Sequence, residues 1–187
     1  MDKEFLSGTL VYLKVEEPKT LAEACGQWNQ DSEYLRLLDA NAANPASVKK
    51  ITEWITSDQE KDPLPFLLFG IRTLVEDKLV GFIDLDGNFY PNGEAFVGIG
   101  VGDREFWGRG YGTDAMKVIL RYAFQELNLR RVSLNTFGYN PRAIHSYEKA
   151  GFVHEGALRG FLHRERQRWD LVFMGILREE WIARNTG

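Results

Sequence analysis

A turn with three glycines at alternate positions constrains this chain more than any other feature. It reads Glu105-Phe106-Trp107-Gly108-Arg109-Gly110-Tyr111-Gly112-Thr113, directly after a β-like run at 95–101 and before an amphipathic run at 113–127. A strand that feeds a helix through such a turn leaves backbone N–H groups exposed at the helix N-terminus, where the helix dipole favours negative charge. Glycine permits close approach of a ligand and positive φ. The stretch therefore suits a phosphate or pyrophosphate, with a ligand-free Gly-rich turn as the alternative. A kinase-type phosphate loop is excluded, because Thr113-Asp114 follow Gly112 in place of a Lys-Ser/Thr pair. The dinucleotide pattern is excluded too, since the glycines run G-x-G-x-G rather than G-x-G-x-x-G.

Residues 113–127 place Ala115, Met116, Ile119, Leu120, Ala123 and Leu127 on one face at spacings of three and four, with Asp114 in the first turn. Residues 130–136 read as a strand. Asn140 then offers an N-cap, Pro141 an N1 residue and Gly151 a stop. They predict a short helix whose inner face carries Ala143, Ile144, Tyr147 and Ala150.

Upstream, 8–15 reads as a strand and 20–41 as helical, with a break or cap at Gln30-Asp31-Ser32. Val48, Ile51 and Ile55 mark a second helix, followed by a polar loop at 58–65. Residues 66–75 and 79–85 form a hairpin, and 86–94 is a longer turn. Downstream, 157–162 and 169–177 form another hairpin around an Arg-rich turn. Antiparallel strands interleaved with helices indicate an α+β fold. No repeat or linker divides the chain, which predicts one domain over 1–187.

With its glycine turn, helix, strand and the run Asn140-Pro141-Arg142-Ala143-Ile144-His145-Ser146-Tyr147-Glu148-Lys149-Ala150-Gly151-Phe152, the chain resembles the GNAT superfamily of acetyl-CoA-dependent N-acetyltransferases. The tail from Trp169 to Trp181 is similar to the branch holding ribosomal-protein N-terminal alanine acetyltransferases and spermidine acetyltransferases. The likeness is strong over 79–182 and weaker over 8–78. One departure is Trp107, where the superfamily usually has Gln or Arg; Trp also occurs there in this branch.

The resemblance implies a GNAT fold: a mixed, mostly antiparallel central sheet, flanked by helices, whose parallel strands 95–101 and 131–136 splay apart. Acetyl-CoA would enter the gap, its pyrophosphate on the turn. The implied cofactor-binding set is Ile99, Gly100, Val101, Trp107, Gly108, Arg109, Gly110, Tyr111, Gly112, Thr113 and Asn140. Gly98, Gly100 and Gly102 either admit the ligand or mark a bulge or tight packing. A backbone N–H of Ile99, Gly100 or Val101 would meet the oxyanion.

Acetyl transfer also needs a proton path from the amine and an acid for the leaving thiolate. Tyr147 is the implied acid. The base is less defined: many relatives carry Glu where this chain has Phe96. Asp84 and Asp86 share a strand face that reads as solvated. Asp170 reads as structural, pairing with one of Arg159, Arg164, Arg166 or Arg168. The acceptor expected is a primary amine, foremost a protein or peptide N-terminal α-amine. A polyamine is the alternative, as is a non-catalytic acyl-CoA-binding module.

The formal charge is −4, from 23 basic and 27 acidic residues, which gives no support to nucleic-acid binding and slightly favours a cationic substrate. The single Cys25 excludes an internal disulfide and a multi-cysteine zinc site. His145, His154 and His163 lack partners at ligand spacing, so no metal is expected. The first residues, MDKEFLSGTL, hold no long apolar run. A cytoplasmic enzyme without a membrane span is expected, with a homodimer compatible.

Overall fold

A computed structural model describes residues 5–59, 66–87 and 93–185. Most of the loop read at 58–65, and the middle of the turn read at 86–94, lie outside the described residues. Seven strands form one sheet in the order β1-β2-β3-β4-β5-β7-β6. They are β1 (Val11–Lys14), β2 (Phe66–Thr73), β3 (Leu79–Asp86), β4 (Glu94–Val101), β5 (Arg131–Phe137), β6 (Val153–Arg164) and β7 (Gln167–Leu177). All neighbours are antiparallel except β4 and β5.

That parallel pair is the feature that matters. Its register covers only Glu94↔Arg131, Ala95↔Val132 and Phe96↔Ser133. Beyond these, β4 stays paired to β3 as far as Val101, and β5 to β7 as far as Phe137. The two strands therefore diverge while each keeps its other neighbour. Backbone groups that face the gap need another partner.

The helix α4 (Tyr111–Gln125) closes one face of the sheet. Met116, Ile119 and Leu120 are fully buried with Ile83, Leu85, Val132 and Leu134 in the main core. This helix starts two residues earlier than its apolar periodicity suggests, because Gly110 with φ +91 turns the chain into it. Asp114 is more than a first-turn charge. Its carboxylate accepts N–H bonds from Thr9, Leu10 and Val11, at 2.7–3.2 Å, and the Thr9 hydroxyl at 2.9 Å. Charge-assisted bonds of this kind contribute roughly 1.5–3 kcal/mol each, so Asp114 pins the start of β1 to α4.

The opposite face carries α1 (Pro18–Trp28), α2 (Ser32–Leu38) and α3 (Val48–Gln59). The helix read over 20–41 is thus two helices. Asp31 breaks it by capping α2, its side chain accepting from the N–H of Glu33 and Tyr34. Leu21, Ala22, Ile51, Ile55 and Leu68 make a second apolar cluster beneath α1 and α3. The Cys25 thiol packs against this cluster, and burial pushes its pKa to about 12, which makes it a small apolar residue rather than a nucleophile.

The helix α5 (Pro141–Ala150) forms as its caps predict. The Asn140 side chain accepts from the Ala143 N–H, and Gly151 with φ +113 ends it. The C-terminal hairpin is longer than its apolar run suggests, because Glu165 and Arg166 both take positive φ in a tight turn. Helix α6 (Arg178–Asn185) follows. No described helix is long and apolar enough to cross a membrane.

Candidate active site

A groove of about 240 Å³ lies beside the diverging end of β4, between that strand, the glycine turn, α2 and α5. It is lined by Ile99, Gly100 and Val101 of β4, by Trp107, Gly108, Gly110, Gly112 and Thr113 of the turn, and by Asn140 and Tyr147 of α5. The structure thus gathers ten of the twelve site residues named from the sequence. Arg109 and Tyr111 are not in the groove lining. The Arg109 guanidinium folds back onto the Glu105 carbonyl at 3.1 Å, and the Tyr111 ring packs edge-on against Phe106.

The turn shows why its glycines are there. Gly108 and Gly110 have φ of +69 and +91. A Cβ at Gly108 would meet no atom within 4 Å, so the loop is open on that side. No side chain caps the start of α4. The first-turn amides are left for a ligand. Thr113 and Ser146 share a hydroxyl bond of 2.8 Å that ties α4 to α5 across the groove.

Trp107 does more than pack. Its indole N–H donates to the Val101 carbonyl at 2.6 Å, and its ring meets the guanidinium groups of Arg104 and Arg142 at 4.8 and 4.1 Å. That bond also fixes the strand's polarity. On the other side, the Gly102 N–H donates to Val80 on the β3 edge. Backbone groups alternate sides along a strand. Hence Gly98, Gly100 and Gly102 face β3, while Ile99 and Val101 face the gap. Of the three N–H groups considered for an oxyanion, those of Ile99 and Val101 point the right way and that of Gly100 does not.

Tight packing on one sheet face requires the glycines of β4, and of the three only Gly100 also lines the groove. A Cβ at Gly98 would fall 2.7 Å from the Asp84 carboxylate, one at Gly100 2.7 Å from the Tyr34 hydroxyl, and one at Gly102 inside the Trp28 ring. These three side chains cover the sheet face opposite α4.

Asp84 corrects the reading of a solvated strand face. Only Asp86 is exposed; Asp84 is partly buried against Gly98, its register partner. Burial pushes its pKa to about 7, against a hydrogen bond from the Gly98 backbone and with a small contribution from Asp86. Phe96, where the resemblance led to an expected Glu, is 47% exposed on the same face. Asp170 is structural, but its partner is not an arginine: it accepts from the Gly160 N–H at 2.8 Å. Arg164 instead donates to the carbonyls of Arg36 and Asn41 around the end of α2 and to the Tyr139 hydroxyl.

Sequence reasoning missed Tyr34, Leu37 and Leu38 of α2, which roof the groove, and Arg142, His145 and Lys149 at its margin. The α2 residues lie more than 60 positions from the glycine turn, and no local spacing links them to it.

Known proteins place this geometry. A spermidine N-acetyltransferase from Vibrio cholerae, solved with CoA and spermine, superposes with a TM-score of 0.80 at 22% identity, over 92% of this chain and 98% of its own. A putative ribosomal N-acetyltransferase of Bacillus subtilis (YdaF) is 28% identical over 171 residues, covering 91% of this chain and 93% of the relative. The spermidine N(1)-acetyltransferase of Vibrio cholerae is 32% identical over 117 residues, 61% of this chain and 67% of the relative. The family model for the acetyltransferase (GNAT) domain matches residues 11–153, a span that takes in the glycine turn, the splayed strands and all of α5. The open sheet and its amide-lined turn are thus those of an N-acetyltransferase, and the chain belongs to the GNAT family.

Proposed function

We propose that this enzyme acetylates an α-amine, such as a protein or peptide N-terminus, with Asp84 as the base and Tyr147, the residue read as the acid, as the hydrogen-bond donor to the leaving sulfur. The donor is acetyl-CoA. Its pyrophosphate suits the free amides from Gly108 to Thr113, and its pantetheine arm suits the gap-facing groups of Ile99 and Val101. Asn140 closes the far wall while capping α5.

The observation that carries the acceptor class is Asp84, which lies outside the groove lining itself but over Gly98, two residues along β4 from Gly100 in the lining and on the same sheet face as Tyr34. Its pKa of about 7 makes it mostly ionised just above neutrality. An α-ammonium titrates near 7.7–8.0, close to such a base, whereas an alkyl ammonium titrates near 10.4. At pH 7.5 roughly a third of an α-amine is already neutral, against about 0.1% of a polyamine nitrogen. Charge around α2 points the same way. Arg104 occupies both Asp31 and Glu33 (2.8 and 2.7 Å), Arg36 is paired with Glu165, and Arg142 and Arg164 add positive charge nearby. A polycation needs free carboxylates instead.

Tyr147 lines the groove, and burial pushes its phenol to about 12. It therefore stays protonated at any working pH. Full proton transfer to a thiolate with conjugate acid near 8.5 is uphill, so Tyr147 acts as a hydrogen-bond donor that stabilises the sulfur as it leaves. Tyr147→Phe should lower kcat about 10–100-fold with acetyl-CoA affinity held within about threefold. Unchanged kcat in steady-state assays would make Tyr147 a packing residue.

The acceptor is tested by kcat/KM for spermidine against short peptides with free Ala or Ser N-termini, with product masses checked. Peptides should be preferred by at least about tenfold, a gap of some 1.4 kcal/mol. A clear preference for spermidine overturns the α-amine reading.

A further inference from the structure

We propose that the Tyr34 hydroxyl donates a hydrogen bond to the carbonyl oxygen of the bound acetyl thioester. With the gap-facing N–H groups of β4, it completes an oxyanion site. This inference rests on the donor lying in the gap between β4 and β5, as in the function proposed above.

Tyr34 is 3% exposed, and its hydroxyl has no hydrogen-bond partner among the described residues. Buried hydroxyls are almost always paired, so one with no protein partner is free to donate to a ligand or to an ordered water. The position of Tyr34 favours a ligand. The side chain lines the groove, and its hydroxyl stands over Gly100, 2.7 Å from the point a Cβ would occupy. Gly100 lies between Ile99 and Val101, whose N–H groups face the gap. The hydroxyl thus approaches from above the sheet, while the amides approach within it. Two donors from different directions are what a carbonyl oxygen can use when it becomes tetrahedral.

The packing around Tyr34 holds it there. Trp28 meets its ring edge-on at 6.5 Å, and Gly102 leaves the space that Trp28 fills. A side chain at Gly100 would displace the hydroxyl, and one at Gly102 would displace its support. Burial raises the phenol pKa, so the group remains a donor and cannot be a base. During the reaction, attack by the amine nitrogen moves the C=O π pair onto oxygen. Collapse restores it and expels the sulfur. The Tyr34 proton stays on Tyr34 throughout, and only its hydrogen bond shortens.

The test is Tyr34→Phe, which keeps the ring and removes the donor. With acetyl-CoA carrying a ¹³C carbonyl, bound to the protein without any amine, the thioester stretch should lie below its solution value in the wild type. In Tyr34→Phe it should return towards solution. With the best amine, kcat should fall about 10²-fold, with KM for acetyl-CoA within about threefold. Gly100→Ala, whose Cβ meets both the Tyr34 hydroxyl and the Phe82 ring, should move the stretch the same way and serves if Tyr34→Phe misfolds, with Phe82→Leu as the control that leaves the stretch in place. A stretch and kcat unchanged in the variants overturn the proposal. A stretch that shifts as expected while no amine is acetylated overturns the acceptor reading and upholds Tyr34. No binding of acetyl-CoA to the wild type overturns both.

Discussion

Asp84→Asn should reduce kcat/KM by about 10²–10⁴-fold, the range of a lost general base, while making the protein more stable at pH 8. The two effects come from one cause. A carboxyl pressed against the Gly98 backbone loses water, and its charged form becomes costly. The same cost makes it a usable base near neutrality. Below pH 7, log kcat/KM for an α-amine should fall with a slope of about two in the wild type, because both the amine and Asp84 take up protons. In the variant the slope should fall to about one. A wild-type slope that persists in Asp84→Asn would remove Asp84 from the proton path.

The stability effect has a definite direction. The folded pKa of Asp84 lies above the unfolded one, so folding is favoured while the group is neutral. That contribution is full below about pH 4 and is lost as pH rises through 7. A shift of about three units is worth up to about 4 kcal/mol. Asp84 is partly exposed, so about half of that is the better expectation. Asn carries no charge at any pH and removes the loss. Relative to wild type, Asp84→Asn should therefore gain about 2 kcal/mol between pH 4 and pH 8, or roughly 4–8 °C in Tm. A residue that costs stability while serving function is the expected trade at an active site. Equal melting temperatures at both pH values would show that Asp84 is well hydrated.

Much of this fold can be read locally. Gly110, Asn140, Pro141 and Gly151 are punctuation whose physics acts within a few residues, and each sits where its backbone conformation requires. The apolar stripe of α4 is a period, and it packs as a period predicts. The donor side of the site was legible for the same reason, since it is built from one continuous turn and one capped helix. The acceptor side was not. Asp84 and Asp86 alternate onto one strand face, and nothing in the sequence says that Gly98 lies opposite the first of them and leaves the second in water. Tyr34 meets Gly100 across 66 residues, through a helix whose start depends on Asp31. Such contacts come from register and packing, which sequence spacing does not encode. The glycines of β4 show the same limit: their lack of side chains was visible, but not that Asp84, Tyr34 and Trp28 fill the space.

Gly110→Val should abolish acetyl-CoA binding, with Kd rising at least about 10²-fold in calorimetry. Gly110 is the N-cap of α4 at φ +91 and ψ −9. A β-branched residue is a strong outlier there. Space is not the first obstacle, because the nearest atom to an added Cβ is Leu10 Cδ1 at 3.4 Å, an ordinary contact. The obstacle is backbone strain, which a negative φ at this residue would relieve. That rotation turns the peptide planes on both sides and scatters the amides that converge on one anion. Losing two charge-assisted bonds at roughly 1.5–3 kcal/mol each is enough for the expected effect. The fold should survive, since the fully buried side chains of α4 begin at Ala115, and retained α4 packing can be checked by near-UV circular dichroism. Two controls sharpen the result. Gly108→Ala enters open space at φ +69 and carries only the left-handed cost of roughly 1–2 kcal/mol, so its effect should be about tenfold. Arg109→Ala, with its guanidinium on the Glu105 carbonyl and outside the groove, should bind acetyl-CoA within about twofold of wild type. If Gly110→Val binds acetyl-CoA as tightly as wild type, the turn is a connector, and the phosphate site lies elsewhere along the groove.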